Sequence, residues 1–128
     1  MKYLLDTHCF LWAITNDSRM STRARAVFLD AGNKLYLSVA SLWEIAIKVR
    51  LGRLHLPEPA ERYLRDQMSR NTIQLLPIEP AHAFRLFHLP DPHRDPFDRM
   101  IIAQSLEDRL PIVTADPLIG RYAVESVW

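Results

Sequence analysis

The chain has 128 residues, 48% of them hydrophobic, which suits a single globular domain over residues 1–128 and leaves too little chain for two. A formal net charge of +1 gives no overall attraction to nucleic acid, and a single cysteine excludes a disulfide within the chain. The N-terminal apolar run is short and no run approaches membrane-spanning length, so we expect a cytoplasmic protein.

Strand and helix signals alternate along the chain, starting with a short buried strand. The predicted strands span residues 2–5, 35–38, 73–76, 111–114 and, as a short edge strand, 124–127. The predicted helices span residues 21–31, 40–51, 60–70, 80–87 and 96–109. This alternation predicts an α/β fold in which a mostly parallel sheet lies between helical layers.

Capping residues mark the ends of several predicted helices. Gly32 follows the first of them and suits a C-terminal cap with positive φ. Ser41 and Glu44 have the spacing of a capping box at the start of the second helix, and Gly52 follows its end. Asp95 is the predicted N-cap of the last helix, with proline at the first helical position.

Four acidic residues each follow or end an apolar run at a point where a helix could begin: Asp6, Glu44, Asp98 and Asp116. If these runs are parallel strands and the helices that follow them, all four acids reach the carboxyl edge of one sheet, where open α/β folds bind ligands. Carboxylates gathered there repel one another unless they share a proton or a cation, and oxygen ligands select Mg²⁺ or Mn²⁺. These residues are therefore the candidate metal-binding and catalytic site.

A purely structural role also fits each acid taken alone. A carboxylate at a helix start accepts hydrogen bonds from free amides and complements the helix dipole. Glu44 fits that role least, because its helix is apolar almost all round and a carboxylate on a buried helix needs a partner or a metal. The coincidence of four acids at one edge favours the metal site.

Arginine supplies most of the positive charge, and it is the side chain best suited to forked phosphate contacts. The spacing of these arginines equally fits solvated helix faces, so a phosphate-binding patch stays one of two interpretations. The same two interpretations apply to His88, His93, Arg94 and Arg99, which surround the start of the last predicted helix. The histidines show no spacing typical of a zinc site.

Several spaced segments resemble one family. Residues 5–12, which begin Leu-Asp-Thr-His, resemble the opening of PIN-domain proteins. Residues 93–104, which begin His-Arg-Asp-Pro-Phe-Asp-Arg, are similar to VapC-type toxins of that family. Residues 41–45 and 113–116 fall in the expected order between and after them, so the resemblance extends over the whole chain.

The resemblance implies a compact three-layer αβα sandwich. It maps the four acids of the family's site onto Asp6, Glu44, Asp98 and Asp116, while Asp95 fits better as the N-cap. It also implies RNA cleavage with Mg²⁺ or Mn²⁺, and inhibition by a cognate VapB antitoxin whose tail enters the active-site groove. The expected protein is therefore the toxin ribonuclease of a toxin–antitoxin pair.

Large aromatic side chains exceed what so small a core needs: Trp12, Trp43, Phe84 and Phe87. Apolar surface on a small domain often marks a partner site, so we expect a homodimer that also binds an antitoxin peptide.

Other functions remain as alternatives. A catalytically silent PIN-fold module that binds RNA or another protein is the main one, and the intact acids argue against it. DNA cleavage by a related nuclease fold is another. A phosphatase of the haloacid dehalogenase type would carry a second Asp two residues after Asp6, where this chain has His8.

Overall fold

The computed structural model describes residues 1–90 and 95–128, and its centre is a parallel sheet. The strands are β1 (Lys2–Leu5), β2 (Lys34–Ser38), β3 (Ile73–Leu76), β4 (Ile112–Val113) and β5 (Ser126–Val127). They form one sheet in the order β3-β2-β1-β4-β5, and every neighbouring pair is parallel. The predicted parallel sheet is confirmed, including its short edge strand.

Helices connect successive strands. They are α1 (Thr7–Ile14), α2 (Thr22–Leu29), α3 (Val39–Arg50), α4 (Ala60–Arg70), α5 (Pro80–Arg85) and α6 (Pro96–Asp108). Short 3₁₀ turns follow at Leu86–His88 and Ile119–Arg121. Among the described residues, no helix is both long and apolar enough to cross a lipid bilayer.

The central strands of the sheet are buried on both faces. Leu5 and Leu37 point to one face, where they pack with buried residues of α1, α2, α3 and α4. Leu4 and Ile112 point to the other, where they pack with buried residues of α6. Because successive strand residues face opposite ways, strands covered on both faces read as continuous apolar runs. The arrangement is the predicted α/β sandwich.

The start of α3 differs from the prediction. Ser38, the last residue of β2, is the N-cap, and its hydroxyl accepts a hydrogen bond from the backbone N–H of Ala40 at 3.0 Å. The strand therefore runs directly into the helix. The predicted capping box of Ser41 and Glu44 is wrong, because both residues lie inside the helix and are buried.

The end of α2 also differs. The helix stops at Leu29, and the Asp30 side chain accepts a hydrogen bond from the backbone N–H of Gly32 at 2.8 Å. This local turn ends the helix early, so the predicted glycine cap at Gly32 is wrong. Gly52, by contrast, has the expected positive φ, 73°, shortly after α3.

Candidate metal centre

The candidate site lies at the carboxyl ends of the neighbouring strands β1 and β4. The sheet grows from β1 through β2 to β3 on one side, and the chain then returns to add β4 and β5 on the other. Open α/β sheets bind ligands in the crevice where the strand order reverses in this way. Asp6 directly follows β1, while Thr114 and Asp116 follow β4.

Asp6 is a buried carboxylate at the N-cap position of α1, with 6% of the residue exposed. Its side chain makes no capping hydrogen bond, and instead Oδ2 accepts one from the Thr114 hydroxyl at 2.8 Å. Burial raises the pKa of Asp6, and the charge of Glu44 raises it further. The Thr114 hydroxyl, the charge of His8 and the nearby backbone N–H of Thr7 oppose that rise in pKa, in that order. The ionised carboxylate would therefore gain from an added cation.

Glu44 is the second buried carboxylate, in the middle of α3 and 5% exposed. Its Oε2 accepts a hydrogen bond from Lys48 Nζ at 2.7 Å, one helical turn further on. Its Oε1 is buried and has no hydrogen-bond partner among the described residues. Such an oxygen is costly to bury. Because the charge of Glu44 also raises the pKa of Asp6, the two carboxylates are near enough to repel each other.

Thr114 connects Asp6 to the segment after β4. Its hydroxyl donates to Asp6 Oδ2 and accepts from the backbone N–H of Asp116 at 3.0 Å. Asp116 Oδ1 accepts in turn from the backbone N–H of Leu118 at 2.9 Å, so its side chain shapes a tight turn. Asp116 thus precedes a 3₁₀ turn, and the α-helix that could have begun at this point is not formed.

A buried pair of hydroxyls joins the two helices that carry Asp6 and Glu44. Thr7, the first residue of α1, donates from Oγ1 to the Oγ of Ser41 in α3 at 2.8 Å. Thr7 adjoins Asp6 in the chain, and Ser41 lies one turn before Glu44. The pair therefore fixes the separation of the two acidic residues. No local sequence pattern signals this contact, since the two residues are 34 positions apart.

The start of α6 carries the remaining acid of the predicted set. Asp98 is the third residue of the helix and is partly buried. Asp95 is the N-cap, as predicted, and its side chain accepts hydrogen bonds from the backbone N–H groups of Phe97 and Asp98 at 2.8 and 3.1 Å. Phe97 also meets Trp43 of α3 edge to face, with ring centroids 5.1 Å apart. This contact holds the start of α6 against α3.

The basic residues around the start of α6 are only partly described. His93 and Arg94 lie outside the described residues. The Arg99 guanidinium donates to the backbone carbonyls of Pro90 and Leu89 at 2.7 and 3.2 Å. Arg99 therefore anchors the chain ahead of α6, which favours the structural interpretation for this residue.

The structure places Asp6 and Glu44 close enough for the charge of Glu44 to raise the pKa of Asp6, and it ties Asp116 to Asp6 through Thr114. Within residues 1–90 and 95–128, no three His, Cys, Asp or Glu side chains are grouped closely enough to hold a metal ion. A complete site that includes Asp98 and Asp116 stays a prediction. The donors themselves fit Mg²⁺ or Mn²⁺, since they are carboxylate oxygens and one of them, Glu44 Oε1, is buried without a partner in the described part of the chain.

The fold and the crevice define a parallel α/β protein with buried carboxylates at the switch point of its sheet. The chain belongs to the PIN domain family, whose family model matches residues 3–125. The resemblance drawn from the sequence motifs is therefore confirmed at the level of the family.

Part of the chain is similar to Ribonuclease VapC16 of Mycobacterium tuberculosis, with 47% identity over 58 residues. This match covers 45% of the chain and 41% of that relative, so it spans less than half of either protein.

Two solved structures match nearly the whole chain. One is VapBC2 from Rickettsia felis bound to a DNA fragment from its promoter, with a TM-score of 0.75, 16% identity, and coverage of 99% of this chain and 98% of that chain. The other is DNA-bound VapBC from Salmonella typhimurium, with a TM-score of 0.74, 19% identity, and coverage of 99% and 97% respectively. At these identities the likeness shows the fold, and it confirms the αβα sandwich.

Proposed function

We propose that this protein is a metal-dependent endoribonuclease of the VapC type, the toxin of a toxin–antitoxin pair. The observation that carries the proposal is the buried pair Asp6 and Glu44 at the switch point, with Glu44 Oε1 lacking a partner among the described residues. The partial similarity to Ribonuclease VapC16 supports RNA as the substrate. An enzyme that cuts cellular RNA acts where that RNA is made, so the proposal places it in the cytoplasm.

In this proposal the four acids Asp6, Glu44, Asp98 and Asp116 hold Mg²⁺ or Mn²⁺. A bound cation supplies positive charge to the phosphodiester and its leaving oxygen, which lowers the barrier to hydrolysis. Asp6 and Asp98 are the proposed direct ligands. Glu44 and Asp116 complete the donor set, and one of them accepts the proton of the attacking water.

Neighbouring side chains prepare these acids for that task. Thr114 fixes one oxygen of Asp6 through its hydroxyl, and the Thr7–Ser41 pair fixes the distance between α1 and α3. The surrounding apolar core keeps water away from both carboxylates, which strengthens their attraction for a cation. Such prepositioning spares the enzyme reorganisation during the reaction.

The test offers labelled single-stranded RNA and matched single-stranded DNA with Mg²⁺ or Mn²⁺, in EDTA, and after the ion is restored. We expect RNA cleavage that EDTA stops and added ion recovers. Asp6→Asn and Glu44→Gln should abolish it, while Asp66→Asn, an exposed carboxylate of α4, serves as the matched control. Cleavage that persists in EDTA, or a preference for DNA, would refute the proposal. RNA binding without cleavage would identify the silent RNA-binding module instead.

A homodimer is the proposed assembly, and one exposed surface supports it. Phe84 and Phe87 are 68% and 82% exposed, and their rings stack with centroids 6.4 Å apart. Exposed aromatic surface of this kind suits a two-fold contact between identical chains. Trp43 is exposed as well. Trp12, by contrast, is partly buried, with its ring 5.7 Å from that of Trp128, and so offers less surface to a partner.

An apolar groove supports the second proposed partner, an antitoxin of the VapB type whose basic residues approach the acids. The groove lies between α3 and α4, has a volume of ≈ 480 Å³, and is lined mainly by Leu42, Val49, Leu64 and Met68. A concave apolar groove suits a peptide or helix from a partner. The VapBC complexes among the similar folds agree with such a partner.

The reading frame immediately upstream identifies the antitoxin to test. Co-expression should yield a complex that no longer cleaves RNA, and Leu64→Asp in the groove should prevent its formation. Arg62→Asp, an exposed residue of the same helix, is the matched control. A complex that survives Leu64→Asp would place the antitoxin elsewhere.

A further inference from the structure

Lys48 is a basic residue within the acidic site. Its Nζ lies 2.7 Å from Glu44 Oε2, and the lysine side chain is 35% exposed while that of Glu44 is 7% exposed. The pair therefore joins a buried carboxylate to an ammonium group that reaches towards solvent.

The burial of Glu44 distinguishes this ion pair from an ordinary surface pair. Glu61 and Arg65 have the same i,i+4 spacing on α4 and a similar distance, 2.8 Å, but their side chains are 78% and 76% exposed. Surface pairs of that kind contribute little. A buried carboxylate, in contrast, is strongly destabilising without a counter-charge. Lys48 supplies that charge to one oxygen of Glu44, while Oε1 has no partner among the described residues.

We infer that Lys48 is the counter-cation of the acidic site in the metal-free protein, and that it competes with a divalent cation for Glu44. The inference rests on the metal site of the proposed function. An ammonium and a divalent ion repel each other across one carboxylate. The flexible lysine stem allows the ammonium to move into solvent when the divalent ion binds. Lys48 thus stabilises Glu44 without metal and weakens metal binding by the same contact.

The experiment measures Mn²⁺ binding calorimetrically, without RNA, for the wild type and three variants. Lys48→Gln should bind Mn²⁺ at least about threefold more tightly, because even an exposed pair at this spacing changes an equilibrium by about twofold. Lys48→Arg should bind it more weakly than the wild type, since a guanidinium holds a carboxylate through two N–H donors. Arg50→Gln, which removes a charge on a different face of α3, should stay within about twofold of the wild type.

A second measurement is thermal unfolding in EDTA and in Mn²⁺. Lys48→Gln should melt at a lower temperature than the wild type in EDTA, because Glu44 loses its counter-charge, and should show the larger increase with Mn²⁺. A lysine that acts only as a helix surface residue would leave the response to Mn²⁺ unchanged.

Equal Mn²⁺ affinity in Lys48→Gln and the wild type, or an equal gain in Arg50→Gln, would overturn the inference. If Lys48→Gln fails to fold, Lys48→Arg decides, and unchanged or tighter Mn²⁺ binding in that variant overturns it. If the variants bind Mn²⁺ in the predicted order of affinity but the wild type does not cleave RNA, only the nuclease proposal is refuted. Metal-dependent cleavage without that order would refute only the role of Lys48, and absence of Mn²⁺ binding in wild type and variants alike would refute both.

Discussion

Asp95 and Asp98, at the start of α6, allow capping and metal binding to be separated with two variants. The Asp95 carboxylate accepts hydrogen bonds from the N–H groups of Phe97 and Asp98 at 2.8 and 3.1 Å. Asp95→Ala should therefore destabilise the protein by about 0.5–2 kcal/mol, the usual effect of removing an N-cap side chain. For a chain of 128 residues, 1 kcal/mol corresponds to about 4 °C in Tm. We expect a decrease of about 2–8 °C that is the same with and without metal.

Asp98→Ala should show the reverse pattern. In EDTA, losing its interaction with the helix dipole costs about 0.3–1 kcal/mol. Relief of repulsion among the carboxylates offsets that loss. A metal at 100 times its Kd stabilises the wild type by about 2.7 kcal/mol, and a hundredfold loss of affinity reduces this to about 0.4 kcal/mol. The increase in Tm on adding metal should therefore fall from about 10 °C to about 2 °C.

The assay is thermal unfolding of both variants and the wild type in EDTA and in saturating Mn²⁺, with RNA cleavage measured on the same samples. Asp95→Ala is the matched control, since it lies on the same turn and removes the same charge. An Asp98→Ala protein that keeps the full metal response and its activity would refute the assignment of Asp98 to the site. Loss of the metal response in Asp95→Ala would place Asp95 in the site instead.

Three further predictions test the surroundings of the site. Thr114→Val removes the hydroxyl that donates to Asp6 and accepts from the Asp116 N–H, and it should lower the free energy of unfolding in urea by about 1–3 kcal/mol. Burial raises the pKa of Asp6 above 3.8 in the folded state, so the metal-free wild type loses stability as pH rises from 3.8 through that raised pKa. Asp6→Asn should accordingly gain stability over the wild type across that window in urea unfolding in EDTA, and a pH-independent difference would contradict the argument. Phe87→Ser should convert the proposed dimer to a monomer in light scattering at micromolar concentration, because Phe84 and Phe87 form the exposed pair; a wild type that is already monomeric would count against the dimer.

Local patterns determined most of the secondary structure. The predicted residues of β1, β3 and α4 match the structure. Turn residues or proline mark the ends of these elements, and α4 also has a clear polar face. Helix α1 (Thr7–Ile14) is missing from the predicted spans, since it is apolar along nearly its whole length and shows no helical periodicity. With few polar residues along it, α1 shows no alternation of polar and apolar positions that a sequence pattern could reveal.

The sequence predicted those features of the site that depend on residues close together in the chain. The buried environment of Glu44 follows from the apolar residues around it, and the cap at Asp95 follows from local spacing. The contact of Thr7 with Ser41 spans 34 positions, and that of Thr114 with Asp6 spans 108. Such contacts depend on how the strands and helices pack, so no local pattern identifies them. Lys48 is the exception, since its i,i+4 spacing from Glu44 is visible in the sequence.

The two buried carboxylates make the metal-free protein less stable than its core would allow, because charge buried near like charge is unfavourable. Thr114 and Lys48 reduce that penalty by one hydrogen bond each, to Asp6 and Glu44. Glu44 Oε1 has no hydrogen-bond partner among the described residues, so part of that penalty remains. The site therefore still attracts positive charge from solvent. A basic antitoxin side chain would meet the same electrostatic conditions as a divalent cation, and it would repeat the contact that Lys48 already makes. Inhibition by a basic peptide and catalysis by a metal would therefore compete for the same oxygen atoms, and the inhibition should weaken as the Mn²⁺ concentration rises.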